Sequence, residues 1–390
     1  MSFIIVNKVV KMNKINNTLL YPLFNRDLVI YPWKENILRV GSDDDSTKEI
    51  IGHPNIWKKI IKQFDGQRTV DELANDLSHE FSIEKNQVLK FIQGFASENF
   101  INFFPFPYDK NDPFLSYFNN AITYYSSAGL GGYKLLQQLQ KMKICILGCG
   151  GGGSHLAYYF AQMGVGYIHI VDPDRVERKN VSRQALFEVN DIGKLKVTCF
   201  KKALLNKNPY VQITTSTSRM RTIADVKHEI KDVDWVVCAM DEPPYIAQRL
   251  VNRACYEIKL PSLYCFSQKT AGKLIFVDPR IKDCACIDCL LAQTDSEEFQ
   301  DLVQFFVSGF KELETATIMP NFTLLCSWIV KKWLNLITKQ NNDIFNKLFR
   351  FDFDRFEEKE FHNFSKHPDC PTCQKTNKIE SNLWKFIPIQ

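Results

Sequence analysis

The sequence predicts an α/β protein. A mainly parallel sheet domain over residues 141–390 is preceded by a small domain over residues 1–105 and a linker with connecting helices over residues 106–140. Three observations carry this. From Lys143 onward, strand-like runs alternate with helix-like runs, the pattern of a parallel sheet with crossover helices. The first such strand ends in Gly148-Cys-Gly-Gly-Gly-Gly-Ser154, five glycines in seven residues, a turn that lets backbone approach a phosphate. Two Cys-x-x-Cys pairs, Cys286/Cys289 and Cys370/Cys373, have the spacing that closes around one metal ion.

Composition bounds the function. A chain of 390 residues has room for two domains, and 45% hydrophobic with 24% charged residues suits a globular protein. The net charge of +5 is spread without the dense Lys/Arg stripe of a nucleic-acid binder, so no nucleic-acid partner is expected. The opening MSFIIVNKVVKMNK lacks a signal-peptide cleavage pattern, and no apolar run reaches the ~18 residues of a membrane span. A cytoplasmic protein with no membrane partner is the expectation. In that setting the 12 cysteines read as thiols or metal ligands rather than disulfides.

In the first domain, Leu28–Tyr31 and Ile37–Gly41 read as strands, followed by the polar loop GSDDDSTKE. Residues 53–64 place Ile56, Ile60 and Phe64 on one helix face. Thr69 with Glu72 is a capping box, after which Val70, Leu73, Leu77 and Phe81 line a second helix. Ser82 and Gln87 bracket a third start, before Val88, Phe91, Ile92 and Phe95. Two strands and three short helices suggest a winged-helix module without a basic recognition face. Its phrase DGQRTVDELANDL resembles the PqqD-like leader-binding modules of peptide-modifying systems. That resemblance implies a sheet edge that takes up an extended peptide as an added strand.

In the second domain, strands fall at 143–147, 167–172, 211–216, 234–239, 262–266 and 273–277. Helices fall at 154–163, 193–206, 222–230 and 244–256. A glycine turn after a strand serves NAD, FAD and ATP alike, and Asp172, 24 residues after Gly148, suits the ribose of any of them. The next segment does not fit a dehydrogenase. Asn180, Arg183 and Gln184 follow the ribose acid, Lys196 stands at a helix start, and Asp241 follows the fourth strand. Cations and an acid converging on a glycine turn are the parts that clamp a triphosphate and its Mg²⁺.

In this order the motifs resemble the ThiF/MoeB and ubiquitin-activating superfamily over roughly residues 140–375, which implies a Rossmann-like adenylation domain. By that resemblance Gly148, Gly150, Gly151 and Gly153 cradle phosphate and Asp172 holds the ribose. Asn180, Arg183 and Lys196 contact the phosphates, Asp241 binds Mg²⁺, and Arg183, Lys196 and Asp241 carry the catalysis. Where the family usually reads Cys-Thr-Asp or Ser-Ala-Asp, this chain has Cys238-Ala-Met-Asp241, one residue longer. The segment NNAITYYSSAG also lacks the arginine that many members lend to a dimer partner, although the family implies a homodimer.

The four knuckle cysteines fill a tetrahedral Zn²⁺ shell with no open position, which makes the site structural. Cys284 and His367 lie beside them as neighbours rather than ligands. Cys326 is the one cysteine between the knuckles and sits in a helix-like apolar run, so it reads as packing rather than as a thioester or persulfide nucleophile. Cys145, Cys149, Cys199, Cys238, Cys255 and Cys265 read as core.

A leader-binding module joined to an adenylation domain without a loop cysteine resembles the peptide-modifying branch, typified by microcin C adenylyltransferases. ILGCGG, Asn180-Val-Ser-Arg-Gln-Ala-Leu-Phe187, Asp191-Ile-Gly-Lys-Leu-Lys196 and the knuckles carry that likeness. It implies ATP-dependent adenylation of a carboxylate on a short ribosomally made precursor peptide, with release of pyrophosphate. ATP-driven cyclisation of Glu side chains, a non-catalytic leader-binding partner and sulfur-carrier activation are the alternatives.

Overall fold

The computed structural model describes residues 19–41, 47–184, 186–308, 316–340, 343–374 and 381–389. The N-terminal stretch read for a signal and residues 42–46 of the polar loop lie outside the described residues. Two compact units divide between Leu139 and Gln140.

The first unit runs β1 (Tyr21–Phe24), β2 (Ile30–Lys34), β3 (Ile37–Val40), β4 (Lys48–Ile51), α1 (Pro54–Lys62), α2 (Val70–Phe81), α3 (Lys85–Ser97), β5 (Ile101–Phe104), α4 (Pro113–Ser127) and α5 (Tyr133–Lys141). β2, β3 and β4 form an antiparallel sheet with β3 in the middle, and β1 pairs antiparallel with β5. The sequence reading finds β3, places β2 two residues early and misses β1, β4 and β5. Each of these three has four residues, too few for alternation to show.

Helix α2 begins as its capping box requires: Glu72 N–H donates to Thr69 Oγ1 at 3.3 Å, and Thr69 N–H donates to Glu72 Oε2 at 2.8 Å. Ser82, read as a helix start, instead ends α2 in the left-handed region at φ 53°, its N–H donating to the Ser78 carbonyl. A short polar residue can close a helix this way, so one serine carries either meaning in sequence. Ile60, Phe64, Val70, Leu73, Leu77, Val88, Ile92 and Phe95 form a core with Trp57, while Ile56, Phe81 and Phe91 pack at its margin.

The second unit runs β6 (Lys143–Leu147), α6 (Gly151–Gln162), β7 (Tyr167–Val171), α7 (Arg178–Val181), α8 (Lys196–Lys207), β8 (Gln212–Ser216), α9 (Ile223–Ile230), β9 (Trp235–Cys238), α10 (Ile246–Glu257), β10 (Ser262–Ser267) and β11 (Ala271–Val277). It continues with α11 (Ile287–Gln293), α12 (Glu297–Val307), α13 (Met319–Ile337), β12 (Lys347–Asp352), β13 (Glu357–Asn363) and α14 (Leu383–Phe386). One sheet has the order β13-β12-β11-β10-β9-β6-β7-β8. β10, β9, β6, β7 and β8 run parallel, and β11, β12 and β13 extend the sheet antiparallel. The central parallel strands β6, β9 and β10 are found from sequence because burial on both faces makes them largely apolar runs, such as the buried Trp235–Cys238. β13 reads EEKEFHN and is almost wholly exposed, so it carries no such signal.

On one face, Phe160 of α6 meets Trp333 of α13 edge-on at 4.9 Å, and Trp333 meets Trp235 of β9 at 6.3 Å. A second core gathers Val226, Leu250, Ile287, Leu383 and the knuckle cysteines. Inside it, Arg249 Nε donates to Asp288 at 2.9 Å and Thr372 Oγ1 donates to the other Asp288 oxygen at 2.7 Å. Arg249 also donates to the Ile387 carbonyl and lies 4.5 Å from the centre of the Trp384 ring. Asp288, 0% exposed, therefore joins α10, both knuckles and the C-terminal segment. Asp288→Asn leaves Arg249 buried without its counter-charge and is expected to cost about 3–5 kcal/mol, read as a lower urea midpoint.

Candidate active site and metal centre

The glycine turn leaves β6 between the ends of its parallel neighbours β7 and β9, and strand order reverses there. A crevice outside the carboxyl ends of strands at such a switch point is where open α/β sheets bind ligands. Gly148 has φ +103°, and a Cβ on it would stand 2.8 Å from the Ala239 carbonyl oxygen. A Cβ on Gly153 would meet the Gly148 oxygen at 1.9 Å, and one on Gly151 would meet the Phe322 ring at 2.5 Å. Gly148, Gly151 and Gly153 are thus demanded by packing of the turn itself.

Gly150 and Gly152 differ: nothing lies within 4 Å of a Cβ placed on either. Gly150 is the N-cap of α6 and makes no side-chain cap bond, so the first amides of this 12-residue helix have no capping side chain. That is the anion-binding end of a helix. Gly150→Ala and Gly152→Ala are expected to weaken ATP binding without lowering the melting temperature. Gly153→Ala should lower both, which calorimetry with and without nucleotide distinguishes.

Asp172 follows β7 and is 6% exposed. Its carboxylate turns inward, accepting from Cys149 N–H at 2.6 Å and from Asp174 N–H at 2.8 Å. Burial raises its pKa above the usual carboxylate range, against the opposing pull of Lys196 and the two amides. The acid left at the rim is Asp174, whose carboxylate receives Lys196 Nζ at 3.0 Å. Sequence reading passes over Asp174; the available signal is its place two residues beyond the strand-end acid. Lys196 is the first residue of α8 and is buried.

Asn180 is 3% exposed and its Oδ1 accepts from Glu177 N–H at 2.9 Å, capping the start of the short helix α7. Gln184 Oε1 is buried with no partner among the described residues. Arg183 is half-buried; its backbone N–H donates to the Asn180 carbonyl at 3.0 Å, and its side chain makes no hydrogen bond or ion pair among the described residues. Asp241 is exposed, two residues beyond Ala239, whose N–H bonds the Leu147 carbonyl at the start of the glycine turn. The fold therefore gathers the turn, Asp172, Asp174, Lys196 and the Asp241 segment at adjoining strand ends.

The four knuckle sulfurs lie within 4.8 Å of one another. Cys286 is 3.5 Å from Cys370 and 3.8 Å from Cys289, and Cys289 is 3.3 Å from Cys373. Sulfurs about 2.3 Å from a tetrahedral zinc stand about 3.8 Å apart, so the cluster fits that ion. His367 N–H donates to Cys289 Sγ and Cys373 N–H donates to Cys370 Sγ, each at 3.4 Å, which favours thiolates. Cys284 and His367 stay outside the cluster: Cys284 Sγ accepts from Asp278 N–H, and His367 Nδ1 accepts from Asp369 N–H. Cys145, Cys149, Cys199, Cys238, Cys255, Cys265 and Cys326 are all buried, as read from the sequence. Among the described residues no helix is long and apolar enough to cross a membrane.

A glycine turn at a sheet switch point, acids and a lysine at the flanking strand ends, and a nearby four-cysteine cluster define a nucleotide-binding α/β protein. Residues 124–372 match the ThiF family, and the chain belongs to it. A sulfur carrier protein ThiS adenylyltransferase of Escherichia coli is 28% identical over 162 residues, 42% of this chain and 63% of that protein. A probable molybdopterin-synthase adenylyltransferase of Porphyra purpurea is 30% identical over 128 residues, 33% of each chain. The matches span a third to just under two-thirds of these relatives.

Among solved structures, E. coli MccB with ATP superposes with a TM-score of 0.64 at 20% identity, covering 90% of this chain and 99% of that one. The microcin C7 biosynthetic enzyme MccB in complex with N-formylated MccA gives 0.65 at 20% identity over the same shares. PaaA gives 0.64 at 18% identity over 87% of this chain and 99% of that one. These likenesses establish the fold, an α/β architecture with a mostly parallel central sheet.

Proposed function

We propose that this protein adenylates a carboxylate of a short precursor peptide with Mg-ATP, releasing pyrophosphate. The observation that carries the reading is the uncapped start of α6 at the sheet switch point, with Lys196 and Asp241 on the adjoining segments of a ThiF-family chain. The amides of the glycine turn bind the phosphates, and Lys196 and Arg183 neutralise charge as it moves onto pyrophosphate. Asp174 at the rim takes the ribose role with the inward-turned Asp172 holding the turn, and Asn180 fixes the loop that carries Arg183. Asp241 holds Mg²⁺, which supplies charge neutralisation on the phosphates. Cys286, Cys289, Cys370 and Cys373 hold a structural Zn²⁺.

The peptide substrate is supported by the PqqD-like phrase and by the fold's likeness to MccB, whose structures include complexes with MccA. In this reading the first unit is a winged-helix leader-binding module, and an edge of its three-stranded sheet takes the peptide. Sulfur-carrier activation by a cysteine relay is disfavoured because Cys326 is wholly buried and burial pushes its thiol pKa well up. The reading is tested by pyrophosphate release from Mg-ATP with and without peptide. Release that needs peptide supports it; tight peptide binding without turnover means a leader-presenting partner instead.

A further inference from the structure

Three consecutive carbonyls of the glycine turn each receive a side-chain donor. Ser154 Oγ donates to the Gly150 oxygen at 2.7 Å, His155 Nδ1 lies 2.7 Å from the Gly151 oxygen, and Cys326 Sγ donates to the Gly152 oxygen at 3.5 Å. The first two donors come from α6 itself; the third comes from α13, far along the chain. Phe322, four residues before Cys326 and so on the same face of α13, fills the space beside Gly151. Its ring stacks on His155 at 6.1 Å and 20°.

We propose that Ser154, His155 and Cys326, backed by Phe322, are positioning residues for the triphosphate. They fix the peptide planes of the turn so that the amides of Gly151, Gly152 and Gly153 are presented to it. The inference rests on the ATP reading above. In a trans peptide the N–H points opposite to the C=O it is bonded through, so holding carbonyls 150, 151 and 152 directs amides 151, 152 and 153. These are the first amides of α6, which a helix leaves without internal partners. A run of glycines has no Cβ to restrict it and pays the largest conformational entropy on ordering, so its planes need restraint from outside.

The chemistry of His155 agrees. It is 3% exposed and its Nε2 is buried with no partner among the described residues. A buried nitrogen left unmet is costly, and an apolar side chain would avoid that cost. What the imidazole supplies is the Nδ1 donor to Gly151, and burial, which lowers its pKa, holds the ring neutral with that single N–H.

The test is calorimetric binding of Mg-ATP and of adenosine to the full chain, independent of peptide and turnover. His155→Leu removes the imidazole donor, whereas His155→Asn places an amide nitrogen where Nδ1 stood. Cys326→Val keeps the shape without the donor, whereas Cys326→Ser keeps a donor. Loss of one such bond is expected to weaken ATP about 3–10-fold, with adenosine unchanged and affinity recovered in the Asn and Ser variants. Equal weakening of ATP and adenosine, or unchanged ATP affinity in both donorless variants, overturns the proposal. A wild-type chain that binds no ATP overturns the nucleotide reading and this inference together, which separates the two failures.

Discussion

Asp241→Ala is expected to reduce peptide-dependent pyrophosphate release by about 10²–10³-fold, the scale on which loss of one preorganised electrostatic contact to a transition state registers. The expectation follows from placement. Asp241 is exposed just past β9, next to the strand whose end begins the glycine turn, so it can meet Mg²⁺ on the phosphates without first breaking a buried bond. ATP affinity should change far less, since the turn amides are untouched; a coupled pyrophosphate assay across ATP concentrations separates the two. Release of orthophosphate in place of pyrophosphate would identify phosphorylation-driven cyclisation. Full activity in the variant would move the metal-binding role to another acid, with Asp174 next in line.

Cys286→Ser, or prolonged exposure to a strong chelator, is expected to strip one metal ion per chain and lower the melting temperature by roughly 10 °C or more. Structural zinc contributes about 10–16 kcal/mol in small domains, of which a larger core still loses a substantial part. The cluster lies within the second core, in contact with the Asp288 network, so its loss exposes interior rather than surface. Metal content by plasma spectrometry beside a melting curve checks both halves. A chain that purifies without metal and melts unchanged on chelation would remove zinc from the account.

How much of this was legible in the sequence varies with the physics of each element. The parallel strands were, because residues such as Ile144–Leu147 and Trp235–Cys238 are apolar on both faces. The capping box at Thr69 and Glu72 was, because capping is a local bond between near neighbours. The antiparallel strands β12 and β13 were not: β12 pairs with β11, far earlier in the chain, and β13, paired with its hairpin neighbour β12, is exposed along nearly its whole length. Within the site, the glycines and the buried Lys196 were visible as residue types. Their division of labour was not. That Gly153 is there for the Gly148 carbonyl, while Gly152 leaves a space open, depends on what stands opposite each one. The bond from Cys326 to Gly152 joins residues 174 positions apart, and no local pattern announces it.

The cysteine cluster has a topological consequence. An ion bridging Cys289 to Cys370 ties off the 80 residues between them into a closed loop. Helix α13 and strands β12 and β13 all lie inside that loop. Such closure removes roughly 4–5 kcal/mol of chain freedom from the unfolded ensemble. The helix that lends Cys326 and Phe322 to the glycine turn is thereby tethered at both ends by the same four sulfurs. Occupancy of the cluster would then govern how readily the helix packed behind the glycine turn comes loose.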